Sequence, residues 1–208
     1  MDRSRLEAFS DGVFAVAITL LALNLTVAGP GHGHLIDQLH WPAFAGYLVS
    51  FLTIGIIWVN HHVLVRQITK VDRTLLFVNL MLLLFVVLIP FGTATAADYL
   101  PHNSPDARLA MVLYAGIFLG MSAGFGAIFE WTLHGEHVYD PLPAEQHWAA
   151  RRRFVGGALV YVVAVVVAVF NALAAFVLIG LTAVYYIIER TPASPASPDS
   201  PDDSPLVG

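Results

Sequence analysis

This sequence predicts an all-α integral membrane bundle, and three observations carry that prediction. Hydrophobic residues make up 57% of the 208, charged residues only 12%, and mean hydropathy is +0.71. Six apolar runs follow one another along the chain, separated by turn-forming and charged residues. The basic residues fall almost entirely on one side of the resulting topology. A soluble domain carries about a quarter charged residues. Apolar side chains in this excess cannot all enter a core built from a chain of this length, so the surplus faces lipid.

The runs are Leu6–Val27, Phe44–Val65, Leu75–Ala97, Leu109–Phe129, Phe154–Phe170 and Ala172–Ile188. Each of the first four reaches about 32–35 Å as a helix, which matches a hydrocarbon core of about 30 Å. The last two form one apolar stretch broken only at Asn171. As one helix that stretch would span about 52 Å, too long for a single crossing, so a helical hairpin at Asn171 is expected. The first run follows a short charged segment with no cleavage-type site after it, and it reads as a retained helix. Gly29-Pro30-Gly31-His32-Gly33 closes the first helix. Pro101 and Pro105 separate the third from the fourth, and the stretch from Glu136 to Ala150, with Pro141 and Pro143, separates the fourth from the fifth. Residues 1–190 are thus one six-helix module. Residues 191–208, rich in Ser, Pro and Asp, form a tail expected to be disordered and cytoplasmic.

Six spans place Arg3, Arg5, Arg66, Lys70, Arg73, Arg151, Arg152, Arg153 and Arg190 on one side and only Arg108 on the other, nine of ten basic residues together. Both termini are therefore expected in the cytoplasm, with His32, His34, His40 and His102 facing outward. The absence of cysteine excludes disulfides and thiolate metal sites. A net charge of −5 gives no hint of nucleic acid as a partner; the expected surroundings are membrane lipid.

Polar residues inside apolar runs are where chemistry or structural pairing is expected. The first helix opens Arg5-Leu6-Glu7-Ala8-Phe9-Ser10-Asp11-Gly12 and the second closes Trp58-Val59-Asn60-His61-His62. The orientation above brings these to the same depth. A ring N–H from Trp58 or a histidine could satisfy Asp11 or Ser10; equally, the helix could begin at Gly12 with Asp11 as its cap. Adjacent histidines point about 100° apart on a helix, so a metal site would need further ligands such as Glu130 or His134. Further along the first helix, Val16, Leu20 and Leu23 share one face, bordered by Thr19. Periodicity alone reads that stripe as a packing face. A carbonyl filter of the Thr-Val-Gly-Tyr-Gly type is missing, as are phosphate-binding glycine loops, His-Glu-x-x-His and Gly-x-Ser-x-Gly.

The run from Arg5 through Phe9-Ser10-Asp11 to Leu21 resembles the first helix of bacterial members of the lysosomal potassium channel family (transmembrane protein 175 in animals). Trp58-x-Asn60-His61-His62 and the stretch from Asn79 through Pro90-Phe91 to Tyr99 also resemble it. The resemblance implies a six-helix bundle without a re-entrant pore loop, assembling around a central pore lined by the first helix. It implies a homotetramer in the bacterial plasma membrane and a potassium-selective channel that needs no cofactor beyond its permeant potassium ions. By matching positions, Val16, Leu20 and Leu23 form the hydrophobic constriction, and Thr19 contributes to selectivity. Arg5, Ser10, Asp11, Trp58, Asn60 and His61 match a structural polar network joining the first two helices. Four copies of an apolar ring can gate a pore by expelling water.

Two rival functions remain at this point. A secondary transporter would place broken helices and charges near mid-membrane, but the centres of helices three to six hold no acidic or basic residue. A metal-dependent membrane enzyme would draw on His61, His62, Glu130, His134 and His137.

Overall fold

Backbone N–H and C=O groups in hydrocarbon must be satisfied within their own segment, which makes a helix the solution for each apolar run. The computed structural model describes residues 2–26, 34, 40–102, 104–133, 138 and 144–188, and it is all-helical. The helices are α1 (Arg3–Ala22), α2 (Trp41–Arg66), α3 (Arg73–Tyr99), α4 (Pro105–Leu133), α5 (Ala144–Phe170) and α6 (Ala172–Ile188), with a 3₁₀ turn at Leu100–His102 between α3 and α4. Three spans, Trp41–Arg66, Arg73–His102 and Pro105–Leu133, are long and apolar enough to cross a membrane by themselves; Val155–Phe170 and Ala172–Ile188 are shorter apolar helices. In α1, Arg3, Arg5, Glu7 and Asp11 crowd the N-terminal half, so only its C-terminal half is apolar.

Helix boundaries run past the apolar runs where polar residues form good helix. Asp72 caps α3 by accepting the Leu75 N–H at 2.7 Å, and Pro42 sits in the first turn of α2, where its missing N–H costs nothing. The largest difference from the sequence reading is in α5. It begins at Ala144, inside the stretch expected to be a loop. Ala, Glu, Gln and Arg there are strong helix formers, which hydropathy does not register. In α1 the difference runs the other way. The helix stops at Ala22 instead of reaching Val27, which lies outside the described residues; Leu23 caps it, and the Asn24 side chain turns away to donate to the Pro90 carbonyl at 3.2 Å. The expected hairpin at Asn171 is present. Its N–H closes α5 on the Val167 carbonyl at 2.8 Å, and its side-chain oxygen accepts from Ala174 N–H at 2.9 Å to open α6. The two arms run antiparallel, since a Cβ on Gly157 would stand 2.6 Å from the Tyr186 hydroxyl. His32, His134, His137, Arg190 and the 191–208 tail lie outside the described residues.

The core lies between α3 and α4. Leu82, Val86 and Ile89 meet Met111, Tyr114, Phe118 and Met121, all fully buried. A Cβ on Gly124 would come within 2.9 Å of the Leu82 Cα, so the close approach of these helices requires glycine there. α5 and α6 close the other flank through Tyr161, stacked on Phe118 at 5.6 Å, and through Ala164, Ala168, Ala175 and Ile179. The exterior is greasy: Phe77, Phe91, Leu109, Leu159, Leu181 and Ile188 are all exposed, as lipid contact requires.

One polar knot crosses this core. Thr93 Oγ1 donates to the Ile89 carbonyl at 2.7 Å, so in its 2.7 Å contact with Ser50 it accepts. Ser50 therefore spends its only proton on Thr93, and Tyr114 must be the donor in its 2.8 Å bond to Ser50. The proton order Tyr114 to Ser50 to Thr93 ties α4, α2 and α3 together. Ser50→Ala strands the Tyr114 donor, whereas Tyr114→Phe leaves Ser50 still donating. We expect Ser50→Ala to cost about 1–3 kcal/mol of stability and Tyr114→Phe less. The double variant should lose less than the sum of the two. Unfolding of the detergent-solubilised variants measures all three, and additive losses would show that the knot is not a chain.

Candidate functional site

Alternate faces of α1 have opposite fates. Leu6, Ser10, Phe14, Ala17 and Leu21 are buried against α2 and α3. Val16, Leu20 and Leu23 are 56%, 39% and 72% exposed, and Thr19 and Gly12 share their side of the helix. The apolar stripe read from the sequence is thus the uncovered face of α1. Thr19 donates its hydroxyl proton to the Val16 carbonyl at 2.8 Å. Its oxygen lone pairs are left free to accept or to coordinate a cation.

On the buried side, a directional hydrogen-bond chain joins three helices. Ser10 donates to the Leu6 carbonyl at 2.9 Å, so it can only accept from Asn79 Nδ2 at 3.0 Å. That sets the amide of Asn79, whose Oδ1 faces His61 Nε2 at 2.8 Å and must accept. His61 is therefore protonated on Nε2. All three side chains are buried, and the His61 ring leans on Phe14 at 5.4 Å. Asp11 stands apart from this chain. It lies in the third turn of α1, well inside the helix and not at its cap, and its Oδ1 accepts the Trp58 indole N–H at 2.9 Å.

The six residues of the expected polar network are distributed unevenly. Ser10, Asp11, Trp58 and His61 make contacts between helices, while Arg5 is exposed and Asn60 half-buried, neither side chain with a hydrogen bond or ion pair among the described residues. Asn79, the centre of the chain, was not assigned a role from sequence; a lone amide within an apolar span was the available signal. Glu7 was missed as well. It approaches His62 Nδ1 at 3.1 Å. Glu130 is held by Arg151 in a two-pronged pair, with the Nε contact at 2.6 Å.

These contacts gather the charged helix ends. Arg3 donates to the Arg66 carbonyl, Trp131 to Asp72 at 3.4 Å, and Arg151 pairs Glu130. The N-terminal ends of α1, α3 and α5 and the C-terminal ends of α2 and α4 therefore share one side of the bundle.

A multi-pass apolar bundle with one helix face left uncovered, and its intramembrane polar groups tied to each other, has the construction of a membrane channel subunit. Residues 5–90 match the family described as endosomal/lysosomal potassium channel TMEM175. A potassium channel of Streptomyces collinus is 39% identical over 195 residues, 92% of this chain and 94% of that one. The endosomal/lysosomal proton channel TMEM175 of Gallus gallus is 31% identical over 134 residues, 57% of this chain and 27% of that one. The crystal structure of a lysosomal potassium-selective channel TMEM175 homolog from Chamaesiphon minutus aligns with a TM-score of 0.76 at 33% identity, covering 89% of this chain and 96% of that one. The chain belongs to the TMEM175 family; it is an ion channel and not an enzyme.

Asn79→Ala deprives His61 of its acceptor and Ser10 of its donor, both in buried positions. We expect it to lower stability by about 1–3 kcal/mol for the stranded His61 N–H and by about 1 kcal/mol more for the bond that Ser10 no longer accepts while it still donates to Leu6. Asp11→Ala removes a single bond at a partly exposed site and should cost about 1 kcal/mol. Denaturation midpoints of the two purified variants give the comparison. The reverse ranking would put Asp11, not Asn79, at the centre of the network.

Proposed function

We propose that this chain forms a potassium channel as a homotetramer, with four α1 helices around a central axis and no re-entrant pore loop. The observation that carries this reading is the exposed apolar face of α1: among the described residues Val16, Leu20 and Leu23 stand largely open, although Leu6, Phe14, Ala17 and Leu21 on the opposite face of the same helix are buried. The core of a single bundle is filled with packed side chains among the described residues, and a symmetric ring of copies supplies an axial passage. The Streptomyces and Chamaesiphon relatives are named as potassium channels, which supports potassium as the permeant ion.

The mechanism follows from ring size and wetting. Apolar side chains at one level exclude water from a narrow pore, and an ion stripped of solvent cannot pass. Outward movement of α1 widens the ring and lets water return. Potassium gives up its hydration more readily than sodium, and Thr19 oxygens, with their protons committed to Val16, offer replacement ligands. No cofactor is required. The polar chain through Ser10, Asn79 and His61, with the Asp11–Trp58 bond, holds α1 in register. The grouping of Arg3, Arg66, Arg73 and Arg151 at one end of the bundle favours cytoplasmic termini in a bacterial plasma membrane.

Currents through purified protein in planar bilayers test the proposal. Leu20→Ala and Leu23→Ala should raise leak current about tenfold for each ~1.4 kcal/mol removed from the barrier, and should weaken discrimination between potassium and sodium. Thr19→Val keeps the volume and should lower selectivity without comparable leak. Leu21 is fully buried against its own subunit, so Leu21→Ala should reduce stability by about 2–5 kcal/mol and leave permeation unchanged. Cysteines at Leu23 should crosslink between subunits. Reversal potentials that follow the proton gradient instead of the potassium gradient would assign the channel to protons, and unaltered currents at Val16, Leu20 and Leu23 would remove α1 from the pore.

A further inference from the structure

Glu7, Asp11 and His62 have no part in the buried polar chain. Glu7 and Asp11 stand at i and i+4 on one face of α1, and His62 reaches them from the C-terminal end of α2. Their ligand atoms, one from each residue, all lie within 4.8 Å of one another, and each side chain is partly open to solvent. Like charges at this spacing on a helix repel. Among the described residues no lysine or arginine pairs with either carboxylate; Glu7 approaches His62, Asp11 accepts from Trp58, and His61 is the one further titratable group within electrostatic reach of all three.

A second observation concerns the imidazole. His62 Nδ1 is enclosed and makes no hydrogen bond, although Glu7 Oε1 is only 3.1 Å away. The two atoms are close without being aligned as donor and acceptor. That is the relation of two ligands aimed at a common third point. Ligands about 2.1 Å from one centre, at angles of 90–110°, stand about 3.0–3.4 Å apart. The neighbouring groups orient the cluster. The Trp58 indole holds Asp11 Oδ1, leaving Oδ2 available, and its ring lies 6.0 Å from that of His62.

We propose that Glu7, Asp11 and His62 form a binding site for a divalent transition-metal ion that bridges α1 to α2. One imidazole nitrogen with two carboxylates selects an ion of the zinc class over magnesium or calcium, which take oxygen ligands. The solvent-exposed side of the cluster leaves room for water as the remaining ligand. The site uses Glu7 and His62, neither of which belongs to the buried chain, and it does not depend on α1 lining a pore.

The test uses full-length protein in detergent, stripped with chelator and titrated with zinc(II) by calorimetry. One ion per chain is expected. Glu7→Gln and His62→Gln should each weaken binding about tenfold or more, and Trp58→Phe, which acts only by positioning Asp11, should also weaken it within about 10–100-fold. Glu130→Gln, on a carboxylate engaged elsewhere, should bind as wild type. Cobalt(II) added to the wild-type protein gives a readout that needs no variant: its visible absorption should change from that of the aqueous ion, and zinc should reverse the change. Zinc binding unaltered in Glu7→Gln and His62→Gln would place the ion on other surface histidines and overturn the proposal. So would a cobalt spectrum identical to that of the free ion.

Discussion

A buried polar side chain in an apolar bundle has no water to turn to, so it must find its partner in another helix. This constraint organises the subunit. Ser10, Asn79 and His61 satisfy each other across α1, α3 and α2, and Ser50, Thr93 and Tyr114 do the same across α2, α3 and α4. In both chains a hydroxyl that donates to its own helix carbonyl fixes the direction of every bond that follows. Apolar packing alone would let these helices slide and rotate, because lipid competes for the same contacts. Directional bonds do not permit that freedom. α3 takes part in both chains, through Asn79 and Thr93, and it is the reference against which α1 and α2 are placed.

That placement decides what α1 presents to its surroundings. With Ser10 and Phe14 turned inward, the next positions around the helix, Val16, Thr19, Leu20 and Leu23, have to point away from the subunit. The buried chain thus sets the rotation of the exposed stripe without touching it. Directional bonds hold α1 near its charged end, at Ser10 and Asp11, and beyond its last turn, where Asn24 donates to the Pro90 carbonyl; between them the helix is held by the apolar packing of Phe14, Ala17 and Leu21.

The charged ends of the helices are tied in a different manner. Glu130 with Arg151, Arg3 with the Arg66 carbonyl, and Asp72 with Trp131 are partly or largely exposed, and each such contact contributes little by itself. Their value is geometric, since they bring successive helix ends to one side. Stability resides deeper, where Leu82, Val86 and Ile89 meet Tyr114, Phe118 and Met121 and where Gly124 lets two backbones approach.

Much of this was legible in the sequence. Apolar runs of membrane length, turn residues between them and a one-sided distribution of arginine defined six helices. Asn171, the one amide side chain in the last apolar stretch, marked the hairpin. Local chemistry determined these features, because a segment's hydropathy and propensity act wherever it sits. The helix starting at Ala144 escaped hydropathy because it is polar, and the end of α1 at Ala22 depended on Asn24 finding a carbonyl on α3. Pairing was harder to foresee. Asp11 and Trp58 were brought together as one of several options, whereas Asn79 as the hub, Glu7 beside His62 and Glu130 on Arg151 join residues distant along the chain. Which polar groups meet depends on the rotation of each helix about its axis. That rotation is set by all the packing contacts at once, so only the tertiary structure decided it.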